Sequence, residues 1–293
     1  MELRVLRYFL MVAREENITR AAGLLHVTQP TLSRQLIQLE EELGVKLFHR
    51  NKYRITLTEE GLLLKQRAQE IVALSDKAKQ ELTKSEGTLS GEIAIGCAEA
   101  RSFSVLAEQI VAFRKLYPRV RFRIYSATAD DVKDRMENGL LDMGLLMEPV
   151  DIGRYAFIRM PVRERYGVLV RRDSPLAERD AITPEDLVDQ PLIVSRQAFS
   201  GALLSSWLGR GLDTLNVAAT CGLLYNASLM VEEGVGSVLC LDGIINTSGD
   251  SPLCFRPLEP GLEVSVYFVW KKYRSFSKAA EKYMEALLAM LKE

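Results

Sequence analysis

The segment that most constrains the fold runs from residue 9 to residue 50, because it joins two helical patterns through a tight break. Thr19 is placed to cap a short first helix. Thr28 is a favourable N-cap for the second helix, and Pro30 lies in its first turn. A missing N–H costs nothing there, since those donors have no intrahelical partner. The pattern predicts a helix-turn-helix.

The second helix should present one apolar face and one polar face. Its apolar residues recur at spacings of four, three and four, as in an amphipathic helix, and they are Leu32, Leu36, Leu39 and Leu43. We expect Leu24 and Leu25 of the first helix to face the same core. The polar face can hydrogen-bond to base edges and phosphates in the major groove of DNA. The candidate DNA-binding residues here are Thr28, Gln29, Pro30, Thr31, Ser33, Arg34 and Gln38.

Helical periodicity alone does not distinguish a DNA-binding helix pair from an ordinary three-helix core with a polar surface, which is the alternative. The next stretch bears on that choice, because residues 45–58 carry four cations and no acid, namely Lys46, Arg50, Lys52 and Arg54. A hairpin in this place would be the wing of a winged helix and would contact phosphates. A solvated basic loop is the alternative. The position directly after the helix pair favours the wing, with Arg50, Lys52 and Arg54 as its DNA-binding residues.

A long helix is predicted to follow the wing. Thr58 can cap it, and Glu59 and Glu60 lie in its first turn, where the helix dipole favours acids. Small and apolar residues alternate spacings of four and three, as in a heptad seam; they are Leu57, Gly61, Leu64, Ala68, Ile71, Ser75, Ala78 and Leu82. The seam predicts that two copies pack lengthwise as a dimer. A helix docked on its own chain is the alternative.

From residue 91 onwards predicted strands and helices alternate, which is typical of a parallel sheet with helices on its faces. One strand is predicted at residues 166–170, and residues 183–186 are expected to open a helix with proline at its first position. Two such α/β units would face each other across a cleft. Ligands of open parallel sheets bind beyond the carboxyl ends of the strands.

The N-terminal part shares many residues with one known family: Phe9, Thr19, Ala21, Ala22, Leu25, Thr28, Gln29, Pro30, Ser33, Leu39, Glu40, Leu43, Gly44, Leu47, Phe48, Arg50, Leu57, Thr58 and Gly61. This string resembles the N-terminal domain of LysR-type transcriptional regulators, and weaker similarity extends over the whole chain. The resemblance implies an α/β fold with an N-terminal winged helix-turn-helix at residues 1–57 and a dimerising linker helix and hinge at 58–90. It also implies a two-lobed, periplasmic-binding-protein-like effector domain at 91–293, with lobe one at 91–162 and 268–293 and lobe two at 163–267.

The resemblance further implies an effector site at three junctions, where a strand ends and a helix begins, at residues 97–102, 126–128 and 195–197. Family members commonly hold small organic acids with one hydroxyl from each of the first two junctions, and Ser102 and Thr128 occupy the matching places. Arg101 or Arg196 could pair with a carboxylate in a fork, and Ser195 belongs to the third junction. For each of these residues, a helix cap or an ordinary surface side chain is the alternative.

Composition narrows the functional classes. A chain of 293 residues suits one small and one larger domain, and a net charge of −1 argues against a nonspecific nucleic-acid coat. We expect a cytoplasmic protein without membrane contact, because the sequence has neither a long apolar run nor a signal peptide. Neither a metal site nor a structural disulfide is expected, and no reactive pair stands out among Cys97, Cys221, Cys240 and Cys254.

An enzyme fused to a DNA-binding domain is the main competing class. Residues 91–293 contain no histidine, no nucleophile elbow and no phosphate-binding glycine motif, so we expect neither catalysis nor a cofactor. A large domain that only dimerises is a further alternative. The favoured function is a sequence-specific transcriptional regulator controlled by a small-molecule effector. Its expected partners are promoter DNA and a small-molecule effector, for which an organic anion is the candidate. We also expect it to form a homodimer or a homotetramer, and RNA polymerase is a further candidate partner.

Overall fold

The chain divides into two compact units, Met1–Lys84 and Ser85–Glu293. The computed structural model describes residues 1–50, 55–82, 89–195, 202–211, 214–273 and 275–291, with the backbone alone for residues 50, 80–82 and 202. No helix within these ranges has both the length and the apolar composition that crossing a membrane requires.

The N-terminal unit contains a three-helix core, a two-stranded wing and a long helix. Its elements are α1 (Leu3–Glu15), α2 (Ile18–Leu24), α3 (Gln29–Leu43), β1 (Phe48–Arg50), β2 (Ile55–Leu57) and α4 (Glu59–Leu82). The two strands pair antiparallel, with Phe48 opposite Leu57. The predicted helix pair and the two paired strands are therefore present, whereas Lys52 and Arg54 lie outside the described residues.

Polar side chains cap both helices of the pair. Asn17 caps α2, because its backbone is extended and its side chain accepts a hydrogen bond from the Arg20 N–H at 2.9 Å. The prediction that Thr19 caps this helix is wrong, since Thr19 lies inside it. Thr28 caps α3 as predicted, with its hydroxyl accepting from the Thr31 N–H at 3.4 Å.

The core of this unit confirms most of the predicted apolar stripe of α3. Leu32, Leu36 and Leu39 are buried, but Leu43, the last residue of α3 before its C-cap Gly44, is 39% exposed. Leu24 is also exposed, contrary to expectation. It is the last residue of α2, whose close contact with the core is made by two small residues, Ala21 and Ala22.

The long helix α4 uses part of its predicted seam to pack on its own chain. Leu64 and Ala68 of the seam join the core that contains α1, together with Val72, which was not part of the predicted seam. Gly61 is required at its position, because an added Cβ would lie 2.1 Å from the Leu47 carbonyl oxygen. The first half of the seam thus follows the alternative of a helix docked on its own chain. Other large apolar side chains of α4 remain exposed, and they are Leu62, Leu63, Ile71 and Leu74.

The C-terminal unit is built on a nine-stranded sheet with helices packed on it. Its elements are β3 (Gly91–Cys97), α5 (Phe103–Leu116), β4 (Val120–Ser126), α6 (Ala129–Glu137), β5 (Met143–Met147), β6 (Tyr155–Arg171), β7 (Leu192–Ser195), α7 (Ala202–Leu208), β8 (Val217–Cys221), α8 (Leu224–Glu232), β9 (Ser237–Leu241), β10 (Leu253–Pro257), β11 (Glu263–Lys271) and α9 (Lys278–Met290). The strand order is β4-β3-β5-β11-β6-β9-β7-β8, and β10 pairs with β6.

The sheet is mixed rather than parallel throughout. The pairs β3–β4, β3–β5, β7–β8 and β7–β9 are parallel, whereas β11 and β6 pair antiparallel with each of their neighbours. Strand β6 is also far longer than the predicted strand at residues 166–170. In addition, the helix predicted at residues 183–186 is only a short 3-10 turn, Glu185–Leu187.

The C-terminal unit has two sets of hydrophobic cores, and β6 contributes to both. Ile158 and Met160, near its start, pack with β3, β5, α5 and α9. Val168 and Val170, near its end, pack with β7, β9 and α7. The strand therefore runs from one half of the unit into the other, and we refer to these halves as the first and second lobes.

Candidate DNA interface and effector cleft

The polar face of α3 is open to solvent. Thr28, Gln29, Pro30, Thr31, Arg34 and Gln38 are exposed, and Ser33 is half-buried. The Thr28 and Thr31 hydroxyls lie 2.8 Å apart, and Gln35 Nε2 donates to Gln38 Oε1 at 2.9 Å. The side chain of Arg34 has no hydrogen bond or ion pair within the described part of the chain. This face therefore presents both preorganised polar groups and an unpaired guanidinium.

A buried carboxylate of α3 fixes the start of the wing. Glu40 is 2% exposed, and its Oε1 accepts from the Leu47 N–H at 2.9 Å and the Phe48 N–H at 3.3 Å. Lys46 Nζ lies 3.3 Å from Oε2. Gly44, at φ +69°, adopts the left-handed conformation that lets the chain turn back between these groups. A carboxylate to which the sequence pattern assigned no role thus joins α3 to the start of β1.

Thr58 holds the other end of the wing, where the sequence predicted only a helix cap. Its hydroxyl accepts from the Gly61 N–H at 2.9 Å, which confirms the cap, and donates to the Lys46 carbonyl at 2.7 Å. The Thr58 N–H also donates to the Leu47 carbonyl at 3.1 Å. Thr58 therefore hydrogen-bonds both to the chain that enters the hairpin, at Lys46 and Leu47, and to the first turn of α4, at Gly61. The side chain of Arg50 lies outside the described residues, as do Lys52 and Arg54.

The first predicted effector junction contains a buried hydroxyl without a partner. Ser102 is 1% exposed, and its N–H donates to Glu164 Oε1 at 2.6 Å. Its Oγ finds no hydrogen-bond partner within the described residues. The neighbouring Arg101 is exposed, and its side chain is likewise unpaired there. The aliphatic part of Arg101 packs against Gly243 of the second lobe, where an added Cβ would lie 2.9 Å from Arg101 Cδ.

At the second junction the predicted hydroxyl, unlike that of Ser102, has hydrogen-bond partners among the described residues. Thr128 caps α6, because its hydroxyl accepts from the Asp131 N–H at 3.3 Å and donates to Asp131 Oδ2 at 3.0 Å. The alternative role of a helix cap is therefore present at this position. Ser195 is half-buried at the end of β7, and Arg196 lies outside the described residues.

A carboxylate that sequence analysis did not single out joins the two lobes. Glu99 follows β3 in the first lobe, and its Oε2 accepts from the Leu224 N–H at 3.0 Å, at the start of α8 in the second lobe. Glu164, on the strand that connects the lobes, is 3% exposed beside Ser102. The junction between β3 and α5 therefore lies between the two lobes, with two carboxylates near the predicted site.

The thiols near this region are protonated at neutral pH. Burial raises the pKa of Cys97 to about 11, a hydrogen bond with Ser126 opposes this shift, and the Glu99 charge adds to it. Burial raises the pKa of Cys240 to about 12. Across the described ranges, no three His, Cys, Asp or Glu side chains are grouped so that they could hold a metal ion.

Known proteins resemble both units of the chain. The family model for the bacterial regulatory helix-turn-helix protein of the lysR family matches residues 3–62, and that for the LysR substrate binding domain matches residues 86–292. YvbU, an uncharacterized HTH-type transcriptional regulator of Bacillus subtilis (strain 168), is 26% identical over 289 residues and 97% of each chain. The Hca operon transcriptional activator HcaR of Escherichia coli (strain K12) is 28% identical over 276 residues, covering 93% of this chain and 92% of its own.

The same fold occurs in full-length crystal structures. CbnR, a LysR family transcriptional regulator, matches with a TM-score of 0.76 at 19% identity over 100% of both chains. CbnR in complex with its target DNA matches with a TM-score of 0.73 at 20% identity over 99% of both chains. Since the two family models together span nearly all of the sequence, the chain belongs to the LysR family of transcriptional regulators, with a helix-turn-helix DNA-binding domain followed by an effector-binding domain.

Proposed function

We propose that this regulator reads base edges in the major groove with α3 and contacts phosphates with the β1–β2 wing. The observation that carries the proposal is the exposed polar face of α3, on which Arg34 has no partner in the described structure. Glu40 supports it by fixing the wing beside this face. Candidate base-reading residues are Thr28, Gln29, Pro30, Thr31, Ser33, Arg34 and Gln38, and candidate phosphate contacts are Arg50, Lys52 and Arg54.

Selection of genomic DNA fragments by the purified full-length protein tests this proposal. At fixed, near-physiological salt, we expect enrichment of a few promoter fragments that share a partly palindromic site. Arg34→Ala should lose the enrichment, since a base contact contributes about 1–3 kcal/mol of discrimination. Arg114→Ala, which removes the same charge from an exposed position of α5, should retain the enrichment. If Arg34→Ala selects the same fragments as the unmodified protein, α3 does not read bases through Arg34.

The effector site that we propose is the cleft beside the junction between β3 and α5. Ser102 supports this choice because its buried hydroxyl lacks a partner in the described structure, and a bound ligand would satisfy it. The unpaired guanidinium of Arg101 favours a small organic anion. Thr128, Ser195 and Arg196 complete the proposed site, although Thr128 already caps α6.

A screen of small carboxylates for a rise in melting temperature tests this site, because a ligand that binds only the folded state raises its stability. Any rise should shrink in Ser102→Ala and persist in Ser104→Ala, which removes a hydroxyl from an exposed position on the same helix. A rise that is equal in both variants would place the ligand elsewhere.

We further propose that the regulator works as a homodimer or a homotetramer in the cytoplasm, acts at promoters with RNA polymerase as a candidate partner, and catalyses no reaction. The dimer is supported by the exposed side chains Leu63, Ile71 and Leu74, which lie on one side of α4 at 3.6 residues per turn. Measurable turnover of any ligand that binds in the cleft would contradict the last part of this proposal.

A further inference from the structure

Helix α8 has no N-cap of its own. Two other helices of the C-terminal unit cap themselves, α6 through Thr128 and α9 through Ser277, whose side chains accept from N–H groups three residues later. Leu223 occupies the capping position of α8, and its side chain cannot accept a hydrogen bond. Glu99, which is 125 residues away and in the other lobe, accepts a hydrogen bond from the Leu224 N–H, the first of the helix. The cap of this helix therefore comes from across the cleft.

A carboxylate at this position is favourable for two reasons. The first N–H groups of a helix have no intrahelical partner, and the helix dipole places partial positive charge there. The hydrogen bond is also strengthened by the charge of the acceptor. Ala227 and Val231 anchor α8 in the core of the second lobe, so a bond to its first turn acts on the whole lobe.

We propose that Glu99 is a positioning residue that holds the two lobes together by capping α8 across the cleft. Arg101 lies on the same loop as Glu99, so its contact with Gly243 also depends on the two lobes staying together. This inference rests on the proposed function, in which an effector binds beside this loop. An effector that favours one arrangement of the lobes would act by keeping or breaking the Glu99 bond, because a ligand shifts an equilibrium only through unequal affinity for its two states.

Hydrogen–deuterium exchange of the full-length protein, without any ligand, tests the proposal. Two segments report: residues 224–227 for the cap itself, and residues 102–105 for the lobe junction beside Arg101, because the N–H groups of residues 102–105 are all hydrogen-bonded and that of Ser102 donates to Glu164. In Glu99→Ala we expect both segments to exchange about tenfold faster, which corresponds to losing one cap interaction. Glu108→Ala, which removes a charge from an exposed position of α5, should change neither segment.

A second variant separates lobe positioning from local capping. Leu223 is 48% exposed and has the extended backbone of a capping residue, so Leu223→Ser can supply a cap within the second lobe. In the double variant Glu99→Ala, Leu223→Ser we expect protection to return at residues 224–227 while residues 102–105 still exchange quickly.

Two results would overturn the proposal. Unchanged exchange in Glu99→Ala would mean that the bond contributes nothing in solution. Slow exchange at residues 102–105 in the double variant would mean that Glu99 is only a helix cap. Because the experiment uses no ligand, its failure is distinct from failure of the effector site, which would appear as the absence of a melting-temperature rise with every carboxylate screened.

Discussion

At the scale of single residues, Glu40 determines where the wing lies relative to α3. Glu40→Ala would leave the Leu47 and Phe48 N–H groups unpaired in a buried place, which costs about 1–3 kcal/mol. We expect urea unfolding to show a loss of this size, and Glu40→Gln, which keeps an acceptor, to show a smaller loss. DNA binding should weaken about equally on specific and random sequences, because the base-reading face is unchanged.

Glu41→Ala is the matched control for Glu40, since Glu41 is the next residue of α3 and is exposed. It should leave stability nearly unchanged. If Glu40→Ala instead weakened binding to specific DNA while binding to random DNA stayed the same, Glu40 would act through the base-reading face and not through the wing.

Removing the buried hydroxyl of Tyr283 is expected to raise the free energy of unfolding. Its ring packs against Phe113 and Phe122, but its buried hydroxyl has no partner among the described residues. Tyr283→Phe keeps the ring contacts and removes the unsatisfied group, so we expect stability to rise by about 1 kcal/mol. Urea unfolding measures this, with the half-buried Tyr117→Phe as a control near zero. A loss of stability would show that the hydroxyl is hydrogen-bonded.

The same residue predicts a pH dependence. Burial raises the pKa of Tyr283, so the folded state disfavours the phenolate. A raised folded pKa contributes stability that is present below the unfolded value, about 10, and is lost as the pH rises above it. The stability of the unmodified protein should therefore fall more steeply above pH 10 than that of Tyr283→Phe. Parallel curves in urea titrations at rising pH would contradict this.

The cysteines should differ in reactivity. Cys97, Cys240 and Cys254 are buried, while Cys221 is half-buried. Because the thiolate is the reactive form, the raised pKa values of Cys97 and Cys240 further slow their reaction at neutral pH. A thiol-disulfide reagent should modify Cys221 first, and Cys221→Ser should remove that phase. Rapid modification of Cys97 by peroxide would instead support a redox sensor.

At the scale of elements, α4 carries two apolar faces with different roles. Leu74 is 44% exposed, whereas Ala68 is fully buried against α1. Leu74→Glu should therefore weaken dimerisation at least about tenfold while the unit stays folded, since a charge is costly in an apolar interface. Ala68→Glu should unfold the N-terminal unit. Analytical ultracentrifugation and circular dichroism measure the two effects, and an unchanged dimer in Leu74→Glu would exclude this face.

Local patterns in the sequence predicted most of the N-terminal unit, because its helices and turns depend mainly on residues close in sequence, although the cap of α2 and the burial of Leu24 and Leu43 were predicted wrongly. Thr28, Pro30 and Gly44 lie where their conformational preferences require. Strand β6 was only partly predicted, since its first half carries charged side chains and Pro161 and is a strand because β11 pairs with it. The bonds of Glu40, Glu99 and Glu164 were not predicted, because each joins groups that no periodicity connects.

At the scale of the whole molecule, a two-fold dimer would present two copies of α3 to one side of the DNA duplex. The two half-sites would then lie on the same face, separated by a whole number of helical turns of about 10–10.5 base pairs. Inserting about five base pairs between the half-sites would rotate one of them to the opposite face. We expect this insertion to lower affinity to that of a single half-site.

Inserting about ten base pairs restores the facing of the half-sites and should recover part of the affinity. Binding at one fixed salt concentration measures both insertions, because phosphate contacts make affinity depend on salt. Leu74→Glu is the matched protein variant: without the dimer, the two insertions should bind equally. Equal binding by the unmodified protein would mean that one copy of α3 suffices, and the proposed role of α4 would fall with it.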